Sequence, residues 1–220
     1  MTNSRTGSSK RLPDAESLQK DPAYKQILEL NFSDMIPFVL SNIRKRGIIP
    51  LFYMFINLLI LCFIILYAMW GIRMGILNAG KIFWQLLAGV LAGSILVIAP
   101  HELLHGLAYR LLGARQIQFG VDLQQFIFYV TADRFPISKN QLAFLAMTPF
   151  VLINAIVIVL TVAWASQFTL FSASLLLCHN IMCIGDFAIV NYACNHKGEL
   201  YTYDDIANKI SYFFEREAGS

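Results

Sequence analysis

Charge is what this chain has little of. Only 14% of its 220 residues are charged, against about 25% in soluble domains. Apolar residues make up 57%, and the mean hydropathy is +0.57. An ordinary soluble domain is thereby excluded. The net charge of +3 is small, and the basic residues gather at the ends of apolar runs. They report membrane topology rather than a nucleic-acid partner. The four cysteines, Cys62, Cys178, Cys183 and Cys194, form no C-x-x-C pair. That spacing gives no disulfide or zinc-ribbon framework, and the thiols read as small apolar packing groups. The first 20 residues are too polar for a cleavable leader.

What is present is a set of long apolar runs. Four are long enough to cross a bilayer: about 48–72, 82–112, 141–167 and 170–193. The first has no charge at all. The second contains Gly89 and Gly93, four apart, which lets a neighbouring helix come close. The third contains Pro149, which a membrane helix tolerates. Between the second and third runs, residues 114–138 are polar and β-rich, with strand patterns over 116–123 and 125–131; a small hairpin is expected. The expected fold class is therefore an all-α polytopic membrane protein of about four transmembrane helices carrying one β-hairpin.

The flanks complete this plan. Residues 1–20 read as a disordered tail. Residues 21–47 read as an amphipathic juxtamembrane stretch with a helix start at Asp21-Pro22, ending in Arg44-Lys45-Arg46. Residues 194–220 read as a tail whose helix is capped by Thr202 and presents Ile206, Ile210, Phe213 and Phe214 on one face. The Lys and Arg bias places both termini in the cytosol: the loop after the second run holds Arg110, Arg115, Arg134 and Lys139, whereas the loop after the third holds none. The first connection, with Arg73 and Lys81, opposes this weakly.

Against so apolar a background, His101-Glu102-Leu103-Leu104-His105 stands out. Two histidines four apart share one helix face and suit a single zinc ion. Glu102 lies where a general base acts on a water. Only two acidic residues fall inside the four runs, Glu102 and Asp186, and charges there are costly unless they have a function. Zinc needs a third protein ligand, and Asp186, His179, Asp122 and Asp133 are the candidates. Depth favours Asp186. His105 and His101 lie ~10–16 Å inside the cytosolic end of the second run, and Asp186 lies ~10 Å inside the same end of the fourth, at 1.5 Å per residue. His179 is two turns from Asp186. It and Asn180 are candidates for an outer contact to the metal site or for an oxyanion donor, with core hydrogen bonding an equal reading. Cys183 suits helix packing better than ligation.

The H-E-x-x-H-G within a span, the β-rich loop after it and the later Gly185-Asp186 pair resemble the site-2 class of intramembrane zinc proteases. The closer resemblance, over residues 50–195, is to a family of membrane proteins called putative zincin peptidases. It implies Zn2+ as cofactor, His101, His105 and Asp186 as ligands, Glu102 as catalytic base, and a membrane protein or peptide as substrate. Site-2 proteases carry Asp before Gly near a proline, and neither feature holds here. Two other classes stay open: a zinc-binding membrane protein without proteolysis, and an ion transporter, which the absence of an internal repeat disfavours. The lipid bilayer is an expected partner, and a homo-oligomer is open.

Overall fold

The computed structural model describes residues 12–122, 127–164 and 166–216. A short helix α1 (Ala15–Lys20) begins at Asp14, whose carboxylate accepts a 2.7 Å hydrogen bond from the Ser17 amide. Part of the expected disordered tail is thus helical; residues 1–11 lie outside the described residues. Asp21 ends this helix instead of starting the next, and strand β1 (Tyr24–Asn31) follows. A 3-10 turn, Phe32–Asp34, leads into helix α2 (Met35–Ile43), which is the α-helical part of the juxtamembrane stretch.

Helix α3 (Ile48–Arg73) runs unbroken for 26 residues. Helix α4 (Ala79–Leu91) passes into a π-helical turn, Ala92–Leu96, and after Val97 the chain resumes as α5 (Ile98–Leu111). Strands β2 (Gln118–Asp122) and β3 (Ile127–Thr131) pair antiparallel; residues 123–126 between them are not described. After the two-residue β4 (Ile137–Ser138) come α6 (Lys139–Trp164), α7 (Thr169–Met182) and α8 (Ile184–Asn195). Strands β5 (Leu200–Asp205) and β6 (Ile210–Arg216) close the chain. Three helices are long and apolar enough to cross a membrane, Ile48–Arg73, Ala79–Leu96 and Lys139–Ala163; the α7–α8 pair, bent by 47°, makes a fourth if it counts as one span.

The all-α expectation is incomplete. Strands β1, β6, β5 and β4 form a four-stranded sheet in that order. The expected C-terminal helix does not exist: Thr202 lies inside β5, paired with Phe213 of β6 and Ile137 of β4. The cause is that both faces of this sheet are covered. Phe213, fully buried, packs with Phe38 of α2 and Tyr192 of α8. Its neighbour Phe214, on the opposite face, packs with Leu18 of α1 and with Tyr201 and Tyr203. A strand buried on both sides loses its polar–apolar alternation, and the remaining apolar spacing imitates a helix.

Close helix contact is made where small residues permit it. A Cβ on Gly89 would overlap the Ser174 hydroxyl and the Phe171 carbonyl of α7, and one on Gly93 would lie 2.6 Å from the Leu175 carbonyl oxygen. The Gly89–Gly93 pair therefore serves packing of α4 on α7 within the chain. At the other end, α2 is tied to α8 by the Asn191 amide, which donates to the Asn42 carbonyl at 2.8 Å.

Candidate metal centre

Helix α5 carries His101, Glu102 and His105, and the first turn of α8 carries Asp186. The two helices bring these side chains to one point. The Nε2 atoms of His101 and His105 are 3.1 Å apart. Asp186 Oδ2 is 3.4 Å from His101 Nε2, and Oδ1 is 3.4 Å from His105 Nε2. Four bonds of 2.0–2.1 Å to a tetrahedral zinc ion place neighbouring ligand atoms about 3.3 Å apart. The separations found here have that size.

The hydrogen bonds behind the two imidazoles point the same way. His105 Nδ1 lies 3.1 Å from the Leu145 carbonyl oxygen. A carbonyl only accepts, so Nδ1 carries the proton and Nε2 presents a lone pair to the cluster. His101 Nδ1 lies 3.2 Å from His179 Nε2. With the His101 proton on Nδ1 and donated to His179, Nε2 of His101 is also a free donor atom. Two nitrogen lone pairs and a carboxylate facing one another at these distances call for a cation. A proton satisfies one pair, whereas a metal ion satisfies all three. The donor set fits zinc.

His179 thus meets the cluster from behind, as a partner of His101. It is 1% exposed, and its own Nδ1 has no hydrogen-bond partner among the described residues. The bend between α7 and α8 brings it there, at Cys183, whose Sγ lies 3.6 Å from His179 Nε2. His101, His179 and Cys183 form a second close group of donor atoms, sharing His101 with the first. Asn180 is not placed to meet a substrate. It is fully buried and exchanges hydrogen bonds with Asn154 at 2.7 and 3.2 Å, so its amide is committed to joining α7 to α6. Asp133 accepts from the Ile206 amide at 3.0 Å and lies outside the cluster; the backbone of Asp122 pairs with Ile127, and its side chain lies outside the described residues. His196 lies elsewhere, at the end of α8.

A cavity of about 540 Å³ opens beside the cluster. His101, Glu102, His105 and Asp186 line one part of it, α2 and β3 form walls, and a second polar group lines another part. This group centres on Asp204 of β5. Its carboxylate accepts from Thr131 at 2.6 Å and from Ser211 at 2.5 Å, and Tyr109 of α5 is a third partner. Burial raises its pKa above the usual carboxylate range, while the hydroxyl donors pull it down. Tyr109 is one turn beyond His105, so Asp204 anchors the sheet to the helix of the two histidines. The sequence does not reveal this group, because the apolar spacing of the tail imitates a helix and hides that Asp204 lies in a strand. Among the described residues, no hydrogen bond commits the Glu102 carboxylate, which faces the cavity.

No curated protein and no solved structure matches the chain. Residues 94–201, which include His101, Glu102, His105, His179 and Asp186, match a protein family described as "Putative zincin peptidase", a similarity that supports a zincin-like family for this half of the molecule.

Proposed function

We propose that this chain is a zinc-dependent metallopeptidase that hydrolyses peptide bonds of membrane-associated substrates, in the manner of site-2 proteases. One observation carries the reading: two Nε2 atoms and a carboxylate meet at 3.1–3.4 Å beside a cavity that the Glu102 carboxylate also lines. His101, His105 and Asp186 hold the metal. Bound zinc supplies Lewis acidity at the scissile carbonyl. Glu102 takes the proton of the attacking water and delivers it to the leaving amine. His179 and the Leu145 carbonyl hold the two imidazoles in register. Strand β3, which walls the cavity, offers backbone groups against which an extended substrate segment pairs.

Sheet pairing supports the membrane topology. Strand β1 precedes every candidate span and β6 follows them all, yet the two are hydrogen-bonded neighbours. The chain therefore crosses an even number of times between them, which favours counting α7–α8 as the fourth crossing. Strands β4 and β5 flank α6 and α7–α8 and are likewise paired. With the lysine and arginine bias, the sheet and both termini lie in the cytosol.

The test is Glu102→Gln in protein reconstituted with a membrane-anchored peptide library. Zinc stays bound and cleavage falls to background. Cleavage at the wild-type rate would refute the assignment of the base. Zinc without cleavage in the wild type as well would make this a binding protein.

A further inference from the structure

Pro149 sits in the middle of α6 and is almost wholly buried. A proline has no amide N–H, so the carbonyl four residues earlier loses its helical donor. Four residues before Pro149 is Leu145. Its carbonyl oxygen is the one that accepts from His105 Nδ1 at 3.1 Å. We propose that Pro149 is a positioning residue of the metal centre: it frees the Leu145 carbonyl from the α6 ladder, and that carbonyl fixes the ring orientation and tautomer of His105.

The inference rests on the reading of His105 as a metal ligand but adds a cause for its geometry. A ligating histidine needs its outer nitrogen held by an acceptor. No side-chain acceptor fills that role for His105 among the described residues. Within an apolar bundle, a helical carbonyl is ordinarily occupied by the amide one turn on. A proline at the fourth position vacates one carbonyl, on the turn facing α5. Leu145 is itself buried against Ala108 and Tyr109 of α5, so the vacated oxygen and the imidazole are held in contact by packing. Restoring an amide N–H at position 149 creates an internal competitor for the same oxygen.

Pro149→Ala tests this with two readouts on the full-length chain. The first is 15N spectroscopy of histidine-labelled, metal-free protein. The wild type shows His105 protonated at Nδ1 with Nε2 bare. Pro149→Ala shows a mixture of tautomers, while the tautomer of His101, held by His179, is unchanged. The second is zinc affinity, which falls by ~10–100-fold in the variant, the range found for outer partners of ligating histidines. An unchanged His105 tautomer together with unchanged zinc affinity would overturn the proposal. If Pro149→Ala does not fold, the wild type decides by itself: a His105 ring protonated at Nε2 contradicts the proposal. Wild-type protein that shows the Nδ1 tautomer but takes up no zinc would sink the metal reading while leaving the role of Pro149 standing.

Discussion

Helix α3 and the α7–α8 pair are both apolar enough to serve as spans, yet they are built in opposite ways. Helix α3 is continuous over 26 residues and turns most of its surface outward; Leu51, Met54, Phe55 and Leu58 are all more than half exposed. The α7–α8 pair is largely buried, bends by 47° at Cys183, and places Asp186 three residues beyond the bend. The run that holds the histidines is interrupted in the same way, by a π turn at 92–96 and a break at Val97, four residues before His101. The continuous helix α3 thus faces outward, whereas the two broken runs carry the side chains of the cluster. The bend has a chemical benefit: it starts a new helix just ahead of Asp186, whose carboxylate then sits in a first turn, at the positive end of the peptide dipoles. π turns and discontinuous helices recur at functional sites in proteins for related reasons.

The contrast can be attacked at its strongest point, the group behind His101. His179→Ala removes the acceptor of His101 Nδ1 and weakens zinc binding by ~10–100-fold, measured by competition with a chromophoric chelator. Asn180→Ala, one residue away, leaves zinc affinity unchanged but removes the donor to Asn154 Oδ1, lowering stability by about 1–3 kcal/mol. Equal effects of the two on zinc would erase the distinction drawn between them.

Packing offers the next comparison. Gly93→Leu forces a side chain into the Leu175 carbonyl and costs about 1–3 kcal/mol or more. Leu58→Ala on the outward face of α3 changes stability by about 0.5 kcal/mol or less. Thermal unfolding in detergent separates them. Similar shifts for both would mean that α3 is packed as tightly as α4.

The smallest effect concerns Asp204. Its carboxyl is raised by burial in the fold, so the folded state binds its proton more tightly than the unfolded state does. Stability from this group is therefore greatest at low pH and declines as pH rises above the unfolded value of about 3.9. Asp204→Asn removes that decline. The difference in unfolding midpoint between wild type and variant, followed from acid to neutral pH, should move in the variant's favour; a difference that does not change with pH would contradict the assignment.

Much of the site is legible in the sequence because charge is so scarce. His101, Glu102 and His105 follow from spacing, and Asp186 from being the only other acidic residue in the apolar runs. Two things were not legible. One is the four-stranded sheet: Phe213 and Phe214 are buried on opposite faces, which hides the strand period. The other is the support behind the candidate ligands. His179 could be suspected, but the bend at Cys183 that aims it at His101 has no proline to mark it, and Gly185, two residues on, lies inside α8. The Leu145 carbonyl is a backbone atom, and only its spacing from Pro149 hints that it is free.

The central claim is that two interrupted helices converge to hold one metal ion. Its most direct test is the zinc content of the purified chain, wild type beside Asp186→Asn. One zinc per chain in the wild type, and a loss in the variant larger than the ~10–100-fold weakening expected for His179→Ala, is the result this structure predicts. Zinc retained in full by Asp186→Asn would contradict it.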